Sequence, residues 1–116
     1  MIKSALSLTA AALLLNCISA ADAVARPDWC GEQGSLNAAE RTICNTRSLW
    51  ALDEQLNTSY PSAMNVVGPQ QRPRLQSSQR EWLKARNGCG GSTGCLTTVY
   101  NDRIQSLEGI IRRGGM

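Results

Sequence analysis

Leu49–Pro61 reads LWALDEQLNTSYP, and its spacing decides the fold. Leu49, Leu52, Leu56 and Tyr60 recur every three or four residues, and Met64 continues the series. That is the period of an amphipathic helix, and the stretch predicts one over about residues 47–60. Pro61 lacks a backbone donor and crowds the preceding turn, so the helix is expected to end or kink there. Asp53 borders the apolar stripe between Leu52 and Leu56. A carboxylate in that position needs a partner. Arg86 and Arg103, on the facing helices, are the expected ones, making Asp53 part of a packing-network ion pair.

The same pattern repeats outward. Asn37-Ala-Ala-Glu40 has the form of an N-cap with a capping-box glutamate, opening a short helix that runs to about Cys44. Thr46 or Ser48 starts the next. Pro73 suits the first turn of a third helix. Leu75, Gln79, Trp82, Leu83 and Arg86 line its inner face, and Gly88 fits a cap just past its end. Leu96, Val99, Tyr100, Ile104, Leu107 and Ile111 define a fourth helix over about 94–112, followed by a frayed tail, RRGGM. No strand pattern competes and no repeat is visible. The expected fold is all-α: a small, disulfide-stapled antiparallel helical hairpin array of three main helices plus a short N-terminal helix. The second helix packs on the third and the third on the fourth. Trp50, Trp82, Tyr60 and Tyr100 are expected in the core or as lids over it.

The first 25 residues have a secretory pattern. Lys3 precedes an apolar run from Ala5 to about Ala21, and small residues then offer cleavage after Ala20, Ala23 or Ala25, with Ala25 favoured. The run is too short and too rich in small residues to span a membrane. This places residues 26–116 in one domain, periplasmic or secreted. Leu-Asn-Cys17 partly resembles a lipobox, which would instead anchor the protein by lipid at Cys17. Asn16 argues against that, because a small residue is expected there.

Cleavage leaves Cys30, Cys44, Cys89 and Cys95. An even count in a short exported chain implies two disulfides. Short connections make neighbouring helices antiparallel, so Cys44, Cys89 and Cys95 meet at one pole and Cys30 can reach them. The local pairs, Cys30 with Cys44 and Cys89 with Cys95, are favoured. The clustering leaves other pairings open.

The chain carries 12 Lys+Arg and 9 Asp+Glu, a net charge of +3. Removing Lys3 and Asp22 with the signal leaves 11 and 8, still +3. Arg72, Arg74, Arg80, Lys84 and Arg86 form its densest basic stretch. Charge this modest on an exported helix is expected to be a solvated face rather than a nucleic-acid-binding one. Histidine is absent, which removes the usual general base and commonest metal ligand. The Cys89–Cys95 loop lacks the lysine and strand of a phosphate loop and the Cys-x-x-Cys spacing of a redox site. Four clustered cysteines could hold zinc, but an oxidising compartment argues for disulfides. Asp53, Glu54 and Glu81 are the carboxylates a hydrolase would need, yet Glu54 and Glu81 fall on outward positions. No enzyme, metal or cofactor is expected.

Three stretches together, ERTICNTRSLWALDEQLNTSY, QREWLKARNGC and CLTTVYNDRIQSL, resemble the LprI-type domain, a family named for a bacterial lysozyme inhibitor. The resemblance covers about residues 30–108. It implies an exported, disulfide-bonded helical domain and a lysozyme as protein partner. By position it draws attention to Asp53, Tyr60, Gln79, Trp82, Arg86, Tyr100 and Arg103, which look like fold determinants rather than an inhibitory site. Pro61 departs from the family by interrupting a helix that normally runs on. A protein at +3 is not steered by its overall field toward a cationic animal lysozyme. Contact would then need a local acidic or loop patch, and Asp28 and Glu32 are the nearest acids. Trp29, Gly91 and Ser92 are the candidate partner contacts, the last two on a compact stapled loop. The alternative is a periplasmic scaffold, adhesion or envelope-stress module that does not bind lysozyme. The oligomeric state is not legible.

Overall fold

The computed structural model describes residues 24–116. The expected apolar run, Cys17 and the cleavage candidates Ala20 and Ala23 lie outside the described residues. Two short 3-10 turns, Asp28–Gly31 and Gln33–Ser35, lead into four α-helices. These are α1 (Ala38–Cys44), α2 (Arg47–Val66), α3 (Arg72–Gly88) and α4 (Thr93–Arg113). There is no strand among the described residues. The fold is all-α, as the periodicity requires.

Helix α1 begins with the expected capping box. Glu40 N–H donates to Asn37 Oδ1 at 2.8 Å, and Asn37 N–H donates back to Glu40 Oε1 at 3.0 Å. Both disulfides are local, Cys30–Cys44 and Cys89–Cys95, with Cα–Cα distances of 5.6 and 5.5 Å. Sulfurs bonded to each other are not thiolate ligands, so the zinc reading falls for these four.

Helix α2 does not stop at Pro61 but runs through it to Val66. The physical reason is burial beyond the proline. Ala63 and Val67 are essentially inaccessible, and ending the helix at Tyr60 would uncover both. Pro61 sits on the exposed face. There, water can satisfy the Asn57 carbonyl that loses its donor.

The packing order also differs from expectation. Helix α4, rather than α3, is the central element, resting mainly on α2 and less on α3, while α2 and α3 barely meet. The cause lies in the width of the apolar faces. Helix α3 buries only Leu75, Trp82 and Arg86. Helix α4 buries Leu96, Tyr100, Ile104, Leu107, Gly109 and Ile110, a face broad enough to serve two neighbours. Trp82 meets Tyr100 edge-on, with ring centroids 5.1 Å apart, and its indole N–H donates to the Val99 carbonyl at 3.0 Å.

Two turn expectations shift. Gly88 is still helical, and the residue that needs the left-handed conformation is Gly90, at φ 55°. The tail does not fray. Gly114 caps α4 at φ 73°, and the Met116 N–H donates to Gln71 Oε1 at 3.2 Å.

Candidate functional site

The pole holding both disulfides is built around Asp53, which is only 4% exposed. Its carboxylate accepts from Tyr100 Oη at 2.8 Å, Asn57 Nδ2 at 3.1 Å and Trp29 Nε1 at 3.4 Å. No arginine hydrogen-bonds it or pairs with it, which corrects the expected Asp53–Arg86 or Asp53–Arg103 pair. Three neutral donors from three separate segments replace the cation. Burial first, then the charge and hydrogen bond of Asp53, push the Tyr100 hydroxyl above its ordinary pKa, with Arg86 nearby opposing. Tyr100 therefore stays protonated and remains a donor to Asp53.

Arg86 is itself 8% exposed. Its guanidinium carbon lies 5.8 Å from the Trp29 ring centroid and 5.9 Å from that of Trp82. Nη2 stands 3.5 Å from Glu40 Oε2 and 2.9 Å from Asn87 Oδ1. Arg86 thus knits α3 to α1 and to the lead-in. Arg103 belongs elsewhere: it donates to Gln79 Oε1 and Ser78 Oγ, both at 2.9 Å, joining α4 to α3. Burial lowers its pKa from the usual value, with Tyr60 opposing. Asp53, Gln79, Arg86, Tyr100 and Arg103, the polar network expected between the helices, therefore form two groups. One joins Asp53 and Tyr100 with Arg86 alongside, and the other joins Gln79 with Arg103.

Beside Asp53 opens a groove of about 400 Å³. Its walls include Arg26, Asp28, Trp29, Trp50, Glu54 and Asn57. Arg26 Nε and Trp50 Nε1 both donate to the Cys44 carbonyl, at 2.9 and 3.2 Å, pinning the lead-in to the end of α1. The Asp28 and Glu54 side chains are exposed and make no ion pair among the described residues. Trp29, expected as an exposed contact, is instead half-buried and tied to Asp53. Gly91 and Ser92 are exposed on the stapled loop, but Ser92 has a structural role as well. Its hydroxyl accepts from the Cys95 N–H at 3.2 Å and caps α4. Sequence reading missed Arg26, Asn57 and Glu40 as members of this pole. Asn57 carried a signal, one turn beyond Asp53 on the same face. Arg26 and Glu40 carried none, because their partners are distant in sequence.

Charge is divided along the array. From the lead-in to mid-array stand Arg26, Arg41, Arg47, Arg80, Lys84, Arg86 and Arg103, against Asp28, Glu32, Glu40, Asp53, Glu54, Glu81 and Asp102. Seven bases against seven acids leave this half neutral. Beyond it, Arg72, Arg74, Arg112 and Arg113 face Glu108 alone, which gives +3.

The described residues thus form an all-α domain held by two disulfides, with a groove lined by carboxylates and indoles. The family model described as "Lysozyme inhibitor LprI" matches residues 30–107, and the chain belongs to that family. No curated protein and no solved structure matches the chain. Among the described residues no helix is long and apolar enough to cross a membrane.

Proposed function

We propose that this is an exported, lysozyme-inhibitor-like protein that presents its cysteine half to a lysozyme and occupies the substrate cleft. Membership of the LprI family carries this reading. The charge division supports it. The overall +3 is concentrated at the far pole, so a cationic lysozyme meets the cysteine half, where Asp28 and Glu54 flank the groove. Orientation by such an asymmetric field needs no negative net charge. The stapled loop carrying Gly91 and Ser92 lies at the same pole. A rigid loop loses little freedom on binding.

A lysis assay on a peptidoglycan substrate, run against several lysozyme classes, tests the proposal. The protein should inhibit saturably and stoichiometrically. Asp28→Lys with Glu54→Lys should weaken inhibition and reduce its salt dependence while leaving the melting curve in place. Gly91→Tyr should weaken it sterically, since a Cβ there meets only Thr42 Oγ1, at 3.9 Å. Trp29→Ala is not a clean probe, because it also removes a donor from Asp53. Failure to inhibit any class, with a specific envelope protein recovered in a pull-down, would select the scaffold alternative.

A further inference from the structure

The far pole carries features that lysozyme binding does not use. Arg72 and Arg74 stand in the first turn of α3, and Arg112 and Arg113 in the last turn of α4. The two helix ends are adjacent, because Met116 and Gln71 are hydrogen-bonded. The Arg113 Nη1 and Arg112 Nη2 atoms lie 3.1 and 3.8 Å from where a Cβ on Gly109 would sit. Two guanidiniums therefore lean over one glycine. None of these four arginines has an ion-pair partner among the described residues; both ion pairs, Glu81–Lys84 and Glu40–Arg86, lie in the cysteine half. Glu108, one turn before Arg112, accepts from Gln55. Arg72 and Arg74 also stand at the positive end of a helix dipole, with no acidic residue in that turn. The exposed large apolar side chains among the described residues are Val66, at 36%, and Met116, at 49%. Both border this same pole, Val66 at the end of α2 and Met116 beside Gln71.

We propose that this pole docks on an anionic phospholipid surface. Clustered, unpartnered guanidiniums fit phosphate groups. Exposed aliphatic side chains among them fit the boundary between headgroups and acyl chains. Nucleic acid would use the arginines but give Val66 and Met116 no role, and this pole offers no aromatic platform for bases. Docking in this way turns the cysteine half away from the membrane, leaving the groove open to soluble partners. The proposal does not depend on lysozyme being the partner.

The test is co-sedimentation of the protein as recovered from the producing cell, with its mass recorded so that an acyl chain on Cys17 is recognised. The vesicles are phosphatidylcholine alone and phosphatidylcholine mixed with phosphatidylglycerol. Binding is expected only to the mixed vesicles, weakening as salt rises. Arg112→Gln and Arg113→Gln should each lower partitioning about five-fold. Val66→Ser with Met116→Ser should lower it further at constant charge. Unchanged melting curves would show that these variants fold. Equal binding to both vesicle types, or full binding by the Arg112→Gln/Arg113→Gln variant, would overturn the proposal. So would tighter binding to a duplex oligonucleotide that ignores Val66 and Met116, which would mark the pole as a polyanion site instead.

Discussion

The two ends of the helical array are held by different physics. At the cysteine end, two disulfides, a buried carboxylate with three donors, and an arginine between two indoles tie α1, α2, α3 and α4 to the lead-in. At the far end, Ala63, Val67, Leu75, Leu107 and Ile110 are buried with no cross-link near them, and the charges around them are nearly all of one sign. The cysteine end has a groove and exposed loops whose shape is held covalently. The far end has no covalent link, and Arg72, Arg74, Arg112 and Arg113 there have no ion-pair partner among the described residues. A small core leans on staples, and here both stand at the same end.

Reduction should break this contrast most severely. On the loop-entropy model the Cys30–Cys44 bond contributes about 3 kcal/mol and the Cys89–Cys95 bond about 2.4 kcal/mol. Denaturant melts with and without reductant should show a loss of that order. Inhibition should fall with it, because the groove and the loop both belong to the stapled end. A reduced protein that melts unchanged would place the stability of the pole in packing alone.

Asp53→Asn comes next, with an expected loss of about 2–3 kcal/mol. The amide nitrogen cannot accept, so at least one of Tyr100, Asn57 and Trp29 would lose its acceptor. Denaturant midpoints would measure this. An unchanged midpoint combined with lost partner binding would move Asp53 from framework to contact surface.

Tyr100 adds a pH test of the same hub. Its pKa is raised in the folded state, so above about pH 10 the unfolded chain releases a proton that the native state retains. Its contribution to stability is complete below that pH and is lost as pH rises further, by at most about 1.4 kcal/mol per pH unit. Tyr100→Phe should be less stable at neutral pH and should show a shallower alkaline decline. Equal slopes would show that another group governs the decline.

Between the two ends, Pro61→Ala restores a helical donor at an exposed position and should stabilise by about 1–2 kcal/mol. A loss of stability instead would mean that the packing of Ala63 and Val67 depends on the proline. The smallest effect is expected at the far pole. Arg72→Glu or Arg74→Glu should raise stability by about 0.3 kcal/mol, because the new charge complements the start of α3. The same change should weaken partitioning onto anionic vesicles. A gain in stability with a loss of binding would show the far pole held against its own stability preference.

Much of this molecule was determined by local sequence. The capping box at Asn37 and Glu40, the start of α3 at Pro73 and the extent of α4 all follow from neighbours a turn apart, and the structure has them as expected. The two disulfides are likewise pairs close in sequence. Tertiary structure decided the matters that hinge on distant partners. Helix α2 passes Pro61 because Ala63 and Val67 are needed against other elements, and a local rule cannot weigh that burial. Asp53 took three neutral donors instead of an arginine because Trp29 and Tyr100, 24 and 47 residues away, reach it when the lead-in and α4 close over α2. The charge division arises the same way. Arg72 and Arg113 are separated along the chain, and only the return of α4 beside the start of α3 gathers the arginines at one pole.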